Sequence, residues 1–202
     1  MMNYRQIMGG AAALLLIATL VQPVSAQRAG RWTTTWWYST VLGVSDTKDF
    51  AGGFSWRGVS LDVEKALTDD FTLGGSVGWH VLSEKKSGTG EFDSGAITGT
   101  AFRYMNSVPL LLTGNYYLGQ SGGTRPFLGV GAGTYWIENR TDAGVFRVED
   151  SLWHLGLMGE AGIVIKRPNR TVTLSARYNW GLEKNDIEQT YLTFSIGFNT
   201  EG

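Results

Sequence analysis

The two histidines, His80 and His154, are the side chains of this sequence best suited to act as general bases. A serine stands three positions from each of them, Ser83 and Ser151. A nucleophilic serine site needs the hydroxyl, the imidazole and a carboxylate in mutual contact. In an alternating strand, however, an odd spacing puts two side chains on opposite faces. We therefore predict no catalytic residues, and we interpret the protein as a non-enzyme.

Other chemistry is also poorly supported. The absence of cysteine excludes disulfides, thiol chemistry and cysteine-ligated metals. The pair Asp69-Asp70 is typical of a solvated turn rather than a calcium site. The repeat Gly129, Gly131 and Gly133 alternates along a strand with no helix after it, unlike a phosphate-binding loop. No metal and no cofactor is predicted, and a formal net charge of −1 indicates no nucleic-acid partner.

The first 26 residues are predicted to be a secretory signal peptide. A single cation, Arg5, precedes an apolar run over residues 11–21, and Val24-Ser25-Ala26 forms a small-x-small cleavage pattern. The apolar run is too short for a spanning helix, which needs about 20 residues. We expect residues 27–202 to form one domain, exported through the general secretory route.

Beyond residue 27 the hydrophobic pattern has a period of two. From Val172 to Trp180, apolar and polar side chains alternate strictly, which predicts a strand with one apolar and one polar face. Short turns alternate with longer polar connections, at residues 45–53, 83–95, 138–150 and 182–188. This organisation predicts an all-β fold, an eight-stranded antiparallel up-and-down transmembrane β-barrel. The predicted strands are 32–44, 55–67, 71–82, 98–118, 125–137, 151–166, 171–181 and 190–199, with Pro109 near a bulge of the fourth or in the extension of that strand above the membrane.

The faces can be assigned from the tryptophans and the polar residues. Four tryptophans share the apolar face near the long-loop ends of their strands, which is typical of an aromatic belt at a membrane interface: Trp79, Trp136, Trp153 and Trp180. The polar face is then the barrel interior, or lumen, and it contains Asp62, Glu64, His80, Arg103, Asn115, Glu160 and Arg177. Four aromatic residues at lumen parity are predicted to fill it: Trp37, Trp56, Phe127 and Tyr135.

A lumen ion pair follows from register. The turn Arg167–Arg170 is four residues long, so Lys166 should pair with Thr171. Continuing this antiparallel register places Glu160 directly opposite Arg177. Since both have lumen parity, we predict that they form an ion pair that blocks the lumen.

Two stretches carry a family resemblance. The stretch Val108-Pro109-Leu110-Leu111-Leu112-Thr113-Gly114-Asn115-Tyr116-Tyr117-Leu118-Gly119 resembles the proline-led strand of OmpW-like proteins. The stretch Arg125-Pro126-Phe127-Leu128-Gly129-Val130-Gly131-Ala132-Gly133-Thr134-Tyr135 resembles a glycine-rich strand of that family. The second is shared with the wider small outer-membrane barrels, including OmpX and the OmpA membrane domain. The resemblance implies the outer membrane of a Gram-negative-type bacterium and assembly by the barrel-assembly machinery. The family ends on a phenylalanine, whereas four residues follow Phe198 here.

Two functions remain open at this point. The first is a structural or surface-interaction role, with membrane lipid and lipopolysaccharide as partners. The second, implied by the OmpW-like resemblance, is passage or binding of a small hydrophobic molecule. That passage would need an apolar pocket, for which the candidates at lumen parity are Trp37, Leu82, Leu111, Tyr135 and Ile137.

Overall fold

The computed structural model describes residues 30–92, 95–119, 123–143, 146–167, 170–184 and 187–201. The predicted signal peptide lies outside these residues. Each strand pairs antiparallel with the next and the last pairs with the first, so the predicted eight-stranded closed barrel is confirmed. The strands are β1 (Trp32–Val44), β2 (Phe54–Ala66), β3 (Phe71–Phe92), β4 (Gly95–Tyr117), β5 (Arg125–Ala143), β6 (Phe146–Arg167), β7 (Arg170–Lys184) and β8 (Ile187–Glu201).

The strands are staggered by ten residues around the barrel. Starting from Thr33, successive Cα partners lead back to β1 at Gly43: Glu64, Gly74, Thr113, Gly131, Met158, Asn179 and Tyr191 lie between. For eight strands this stagger requires a tilt of about 40° from the barrel axis. That tilt falls in the range of outer-membrane barrels.

Three of the predicted long loops are mostly strand. Pairing of β3 with β4 continues to Phe92 and Gly95, that of β5 with β6 to Ala143 and Phe146, and that of β7 with β8 to Lys184 and Ile187. The predicted loop boundaries at residues 83, 138 and 182 are therefore wrong. The polar composition that suggested loops marks hairpins that extend beyond the apolar band of the barrel. We call this end the hairpin end and the opposite end the turn end.

Pro109 lies within one long strand, as predicted, but not at a bulge. On β3 and β4, Val77 pairs with Leu110 and His80 with Ser107, so two residues intervene on each side and the register is unchanged. Pro109 cannot donate a hydrogen bond, and its ring points into the lumen. Gly78 stands beside it, where a Cβ would come within 3.1 Å of Pro109 Cγ.

A bulge lies instead between β1 and β2. Ser39 pairs with Gly58 and Val41 with Ser55, so β2 carries one extra residue there. The extra residue reverses the alternation. Ser55 is consequently buried, while Trp56 points outward and is 66% exposed. The prediction that Trp56 fills the lumen is therefore wrong, whereas Trp37, Phe127 and Tyr135 are buried in it.

The first connection contains a short helix, α1 (Ser45–Ala51), where a polar loop was predicted. Gly52 ends the helix at φ +84°, and its N–H donates to Lys48 O at 3.0 Å. Thr47 and Ala51 are buried against the barrel. Among the residues that the structure describes, no helix is both long and apolar enough to span a membrane.

The outer surface is apolar over the middle of the barrel. Side chains at outward parity such as Val130, Leu155 and Leu157 are exposed. Exposed aromatic residues occur toward both ends, including Trp79 and Trp153 near the hairpin end and Tyr116 and Phe198 near the turn end. A water-soluble barrel would place these side chains inside, so the polar lumen and apolar exterior are the arrangement of a membrane barrel.

Candidate functional site: the filled lumen

The central layer of the lumen is a three-residue ion network. Glu160 on β6 and Arg177 on β7 are directly opposite each other, and Arg177 Nε lies 2.9 Å from Glu160 Oε1. The other end of the guanidinium contacts the carboxylate of Asp62 on β2. All three side chains are almost completely buried. Because β2 lies three strands from β7 around the barrel, the Arg177–Asp62 contact crosses the lumen.

Trp37 belongs to this polar layer. Its Nε1 donates to Asp62 Oδ2 at 2.6 Å, and Arg177 Cζ lies 4.9 Å from the Trp37 ring centroid. Gly197 on the neighbouring strand makes room for the ring, since a Cβ there would lie 2.6 Å from a ring carbon. The indole therefore orients Asp62 toward the arginine.

A second polar group lies closer to the turn end. Glu64 accepts hydrogen bonds from Thr72 Oγ1 at 2.8 Å and from Asn115 Nδ2 at 2.5 Å. Between these groups the interior cavity is only about 10 Å³, lined in part by Asp62, Glu64 and Arg177. This is about the space of one water molecule. The central lumen is consequently filled.

His80 lies on the other side of the ion network. Its Nε2 is 3.1 Å from Ser60 Oγ and its Nδ1 is 3.0 Å from the Tyr191 hydroxyl, which in turn lies 3.1 Å from Ser107 Oγ. The serine beside His80 thus comes from β2, and it is not Ser83. All four side chains are buried. Neither ring nitrogen contacts a carboxylate, so the arrangement lacks the acid that a triad uses to orient its histidine.

An apolar layer covers the polar lumen toward the hairpin end. Four of the five predicted pocket residues pack together there: Leu82, Leu111, Tyr135 and Ile137. The other members of this apolar layer are Val41, Ala51, Met105, Met158 and Tyr191. Trp37 does not join this layer because it lies in the ion network. Tyr135 fits beside Gly156, where a Cβ would come within 2.5 Å of its ring.

The helix α1 covers this apolar layer. Phe50 packs against it, Thr47 Oγ1 donates to Gln189 Oε1 at 3.1 Å, and Thr190 N donates to Thr47 Oγ1 at 2.9 Å. Arg103, predicted as a lumen residue, lies in this mouth with its Cζ 5.5 Å from the Phe50 ring centroid. Helix α1, Met105, Met158 and Tyr191 were missed by sequence reasoning. Met105, Met158 and Tyr191 have lumen parity in their predicted strands, and this parity could have identified them as lumen residues.

The turn end is closed by Arg125. Its Nη1 donates to Asp69 O at 2.9 Å, and its Nη2 contacts Asp70 Oδ1 at 2.6 Å and Tyr117 O at 3.1 Å. These bonds join the β2–β3 turn to strands β4 and β5. The ring of Tyr117 packs against that of Phe127, with centroids 5.3 Å apart.

The four belt tryptophans all point outward. Trp136 and Trp153 are direct Cα partners, while Trp79 pairs with Val59 and Trp180 with Leu157. Among the described residues, no cluster of three or more histidine, aspartate or glutamate side chains could hold a metal ion.

Comparison with known proteins gives the fold class. No family model and no curated protein matches this sequence. The barrel is similar to Ail, the attachment invasion locus protein of Yersinia pestis, solved with the heparin analogue sucrose octasulfate, with a TM-score of 0.51 and 12% identity over 85% of this chain and 99% of that one. It is also similar to Neisserial surface protein A, with a TM-score of 0.51 and 15% identity over 88% and 99% of the two chains.

Proposed function

The chain has the fold of the small eight-stranded outer-membrane β-barrels, the class that its motifs resemble. From this premise, we propose that it is an integral outer-membrane protein with a closed lumen and a structural or surface-interaction role. The observation that carries the proposal is the contact of Arg177 with both Glu160 and Asp62 across the lumen. In a general pore the lumen would stay open to water along its whole length.

The outer surface supports the membrane location. Exposed leucine and valine side chains form a band around the barrel, and Trp79, Trp136, Trp153 and Trp180 face outward on four strands beside it. Indole rings prefer the membrane–water interface. The N-terminal 26 residues, interpreted as a signal peptide, supply the export step. Lipid and lipopolysaccharide are then the immediate surroundings of the barrel.

The long hairpins support a role at the cell surface. β3 continues 13 residues beyond Trp79 to Phe92, which at the tilt given above extends roughly 30 Å past the tryptophan. In small outer-membrane barrels the longer connections face the outside of the cell and the short turns face the periplasm. The similar Yersinia protein is named for attachment and invasion. We extend only the general idea of surface contact to this chain.

Assembly is proposed to use the barrel-assembly machinery. The final strand β8 presents Phe194, Ile196 and Phe198 outward, which is the alternating aromatic pattern expected for a terminal strand.

Passage of a small hydrophobic molecule is the second candidate. The apolar layer that includes Leu82, Leu111 and Ile137 is the feature that favours it. These side chains are packed against one another and covered by Phe50 of α1, so a ligand would have to displace them. The closed-lumen role requires no such movement and is the one we favour.

Cell fractionation combined with a deletion strain tests the proposal. The protein should be found in the outer-membrane fraction and should migrate differently in gels before and after boiling, because a folded barrel resists detergent. The deletion strain should take up small hydrophobic compounds at the wild-type rate. A soluble periplasmic monomer would contradict the membrane assignment. Slower uptake that the restored gene corrects would favour the second candidate.

A further inference from the structure

A cleft opens at the hairpin end beside α1. Its volume is about 340 Å³, which is in the range of sites for small molecules. Asp46 and Phe50 line it from the helix, and Asn139 and Asp150 line it from the inner face of the β5–β6 hairpin. Phe50 also packs against the apolar layer, and the cleft shares no lining residue with the small central cavity of the lumen.

The charged side chains that line the cleft are hydrogen-bond acceptors, whereas Thr141 and Gln189, which also line it, can both donate and accept. Asp46 and Asp150 supply two carboxylates from opposite walls. Asn139 Oδ1 is buried and accepts no hydrogen bond within the described part of the chain. A buried acceptor without a donor is uncommon in folded proteins and is satisfied when a ligand or water supplies one. The ligand that fits should therefore carry N–H or O–H donors.

The cleft also has an apolar part. Val148 on the hairpin and Phe50 on α1 both line it, and Val148 is 68% exposed. Val148 lies at inward parity opposite Thr141, so its exposed apolar surface faces the mouth of the barrel. A ligand with a short hydrocarbon group would cover this surface.

Charge decides between the donor-bearing ligands. Arg103 lies over the Phe50 ring and Lys48 is exposed on α1, but neither side chain lines the cleft. Arg103 lies opposite Glu84, its Cα partner on β3. The charged groups that line the cleft itself are Asp46 and Asp150, both negative. An ammonium group satisfies both the charge and the donor requirement, whereas a neutral hydroxyl satisfies only the second.

We propose that this cleft binds a small primary amine, with the ammonium between Asp46 and Asp150 and donating to Asn139, and the hydrocarbon part against Phe50 and Val148. The site is separate from the lumen, so the proposal stands whether or not the barrel has a surface-interaction role. Two carboxylates with an amide oxygen could also attract Ca²⁺, and a saccharide would use the same acceptors. Both are outcomes that the test must separate from the amine.

The full-length mature protein in lipid nanodiscs, titrated with n-butylamine at low ionic strength and followed by amide chemical shifts, provides the test. Phe50, Asn139 and Val148 should show saturable shifts, and residues of the β6–β7 turn should show none. Replacing Asp46→Asn or Asp150→Asn should weaken binding by roughly fivefold each, the effect of losing one charge at about 4 Å in a water-exposed site. Glu149→Gln is the matched control, because it removes the same charge from the outer face of the same strand. It should leave the affinity unchanged.

Five results would overturn the proposal. Equal binding of 1-butanol would show an apolar site that ignores charge. Tighter binding of CaCl₂ to the same residues would show a metal site, and tighter binding of glucose would show a saccharide site. The absence of saturable shifts with n-butylamine would show no site at all. An equal loss of affinity in Glu149→Gln would mean that the amine is attracted by the overall negative charge of the hairpin and not by a specific site.

Discussion

Arg177 on β7 reaches across the barrel to Asp62 on β2 while remaining in ionic contact with its strand neighbour Glu160. One guanidinium thereby pairs with two buried carboxylates and links strands β7 and β2, which share no backbone hydrogen bonds. Isolated buried charges are strongly destabilising unless they are paired. The network therefore makes the closed lumen and the stability of the barrel depend on the same three side chains.

The first prediction concerns that network. Arg177→Leu leaves Asp62 and Glu160 buried without a counter-charge and should lower the free energy of unfolding by about 3–5 kcal/mol. Urea unfolding in lipid vesicles, followed by tryptophan fluorescence, measures it. The control is the triple variant Asp62→Leu, Glu160→Leu, Arg177→Leu, which should recover most of the loss because none of the three network charges is left buried without its partner. Similar losses in both variants would mean that packing, not charge, dominates.

The second prediction concerns the lipid-facing surface. Leu157 points outward near the middle of β6, so Leu157→Arg should destabilise the barrel by about 2–4 kcal/mol in vesicles. Ser151→Arg is the matched control on the same strand and face, but beyond Trp153 toward the hairpin end. It should cost about 0–1 kcal/mol, since the penalty falls near the interface. Equal losses of unfolding free energy in the two variants would mean that the membrane is not centred near Leu157.

The third prediction concerns α1. The Thr47 hydroxyl joins the helix to Gln189 and to the backbone of Thr190, so Thr47→Val should loosen the helix locally by about 1–3 kcal/mol. Hydrogen exchange of the Gly52 amide, which is bonded to Lys48 O, reports this opening. Lys48→Gln should leave the exchange rate unchanged, because that side chain is exposed. Unchanged exchange in Thr47→Val would show that Ala51 and Phe50 hold the helix alone.

The fourth prediction concerns Arg125 at the turn end. Arg125 is buried and holds two backbone carbonyl oxygens, whereas its partner Asp70 is about half exposed. Arg125→Met should therefore cost about 2–3 kcal/mol, as charged hydrogen bonds in a buried site do. Asp70→Asn should cost no more than about 1 kcal/mol, as for a surface pair. Equal urea midpoints for the two variants would contradict this asymmetry.

The fifth prediction concerns pH at the hairpin end. A hydrogen bond from Arg140, with Arg147 as a second cation, holds the pKa of Asp142 below its ordinary value of 3.8. Because the pKa is lower in the folded state, the contact stabilises the hairpin above the unfolded pKa and is lost as pH falls through the folded one. Carbonyl NMR of Asp142 should show a midpoint below 3.8. Arg140→Gln should raise that midpoint, and no change would show that the arginine does not control it.

Local patterns explain which parts of this fold could be predicted. The Glu160 and Arg177 pairing depends only on a four-residue turn, and the observed register pairs Lys166 with Thr171. The contact of Arg177 with Asp62 depends instead on the ten-residue stagger of the whole barrel, which no single turn specifies. Trp56 was misplaced because one extra residue in β2 reverses the alternation after a bulge.

The remaining differences are segments that were predicted as loops but form solvent-exposed strands or a short helix. The hairpins beyond residues 83, 138 and 182 are strands with polar side chains, and composition alone makes such segments look like loops. Helix α1 has seven residues, too few for a helical hydrophobic stripe to be distinguished. Its contacts through Thr47, Phe50 and Ala51 come from the barrel mouth, which forms only after β1, β3, β4 and β8 are in place.

Single-channel recording in planar lipid bilayers tests the closed lumen most directly. The wild-type barrel should give no discrete conductance steps, under conditions in which a general porin gives clear ones. A variant with residues 45–51 replaced by a glycine–serine linker should also be silent, because the Arg177 network closes the lumen below α1. Steady, reproducible conductance steps from the wild-type protein would contradict the account.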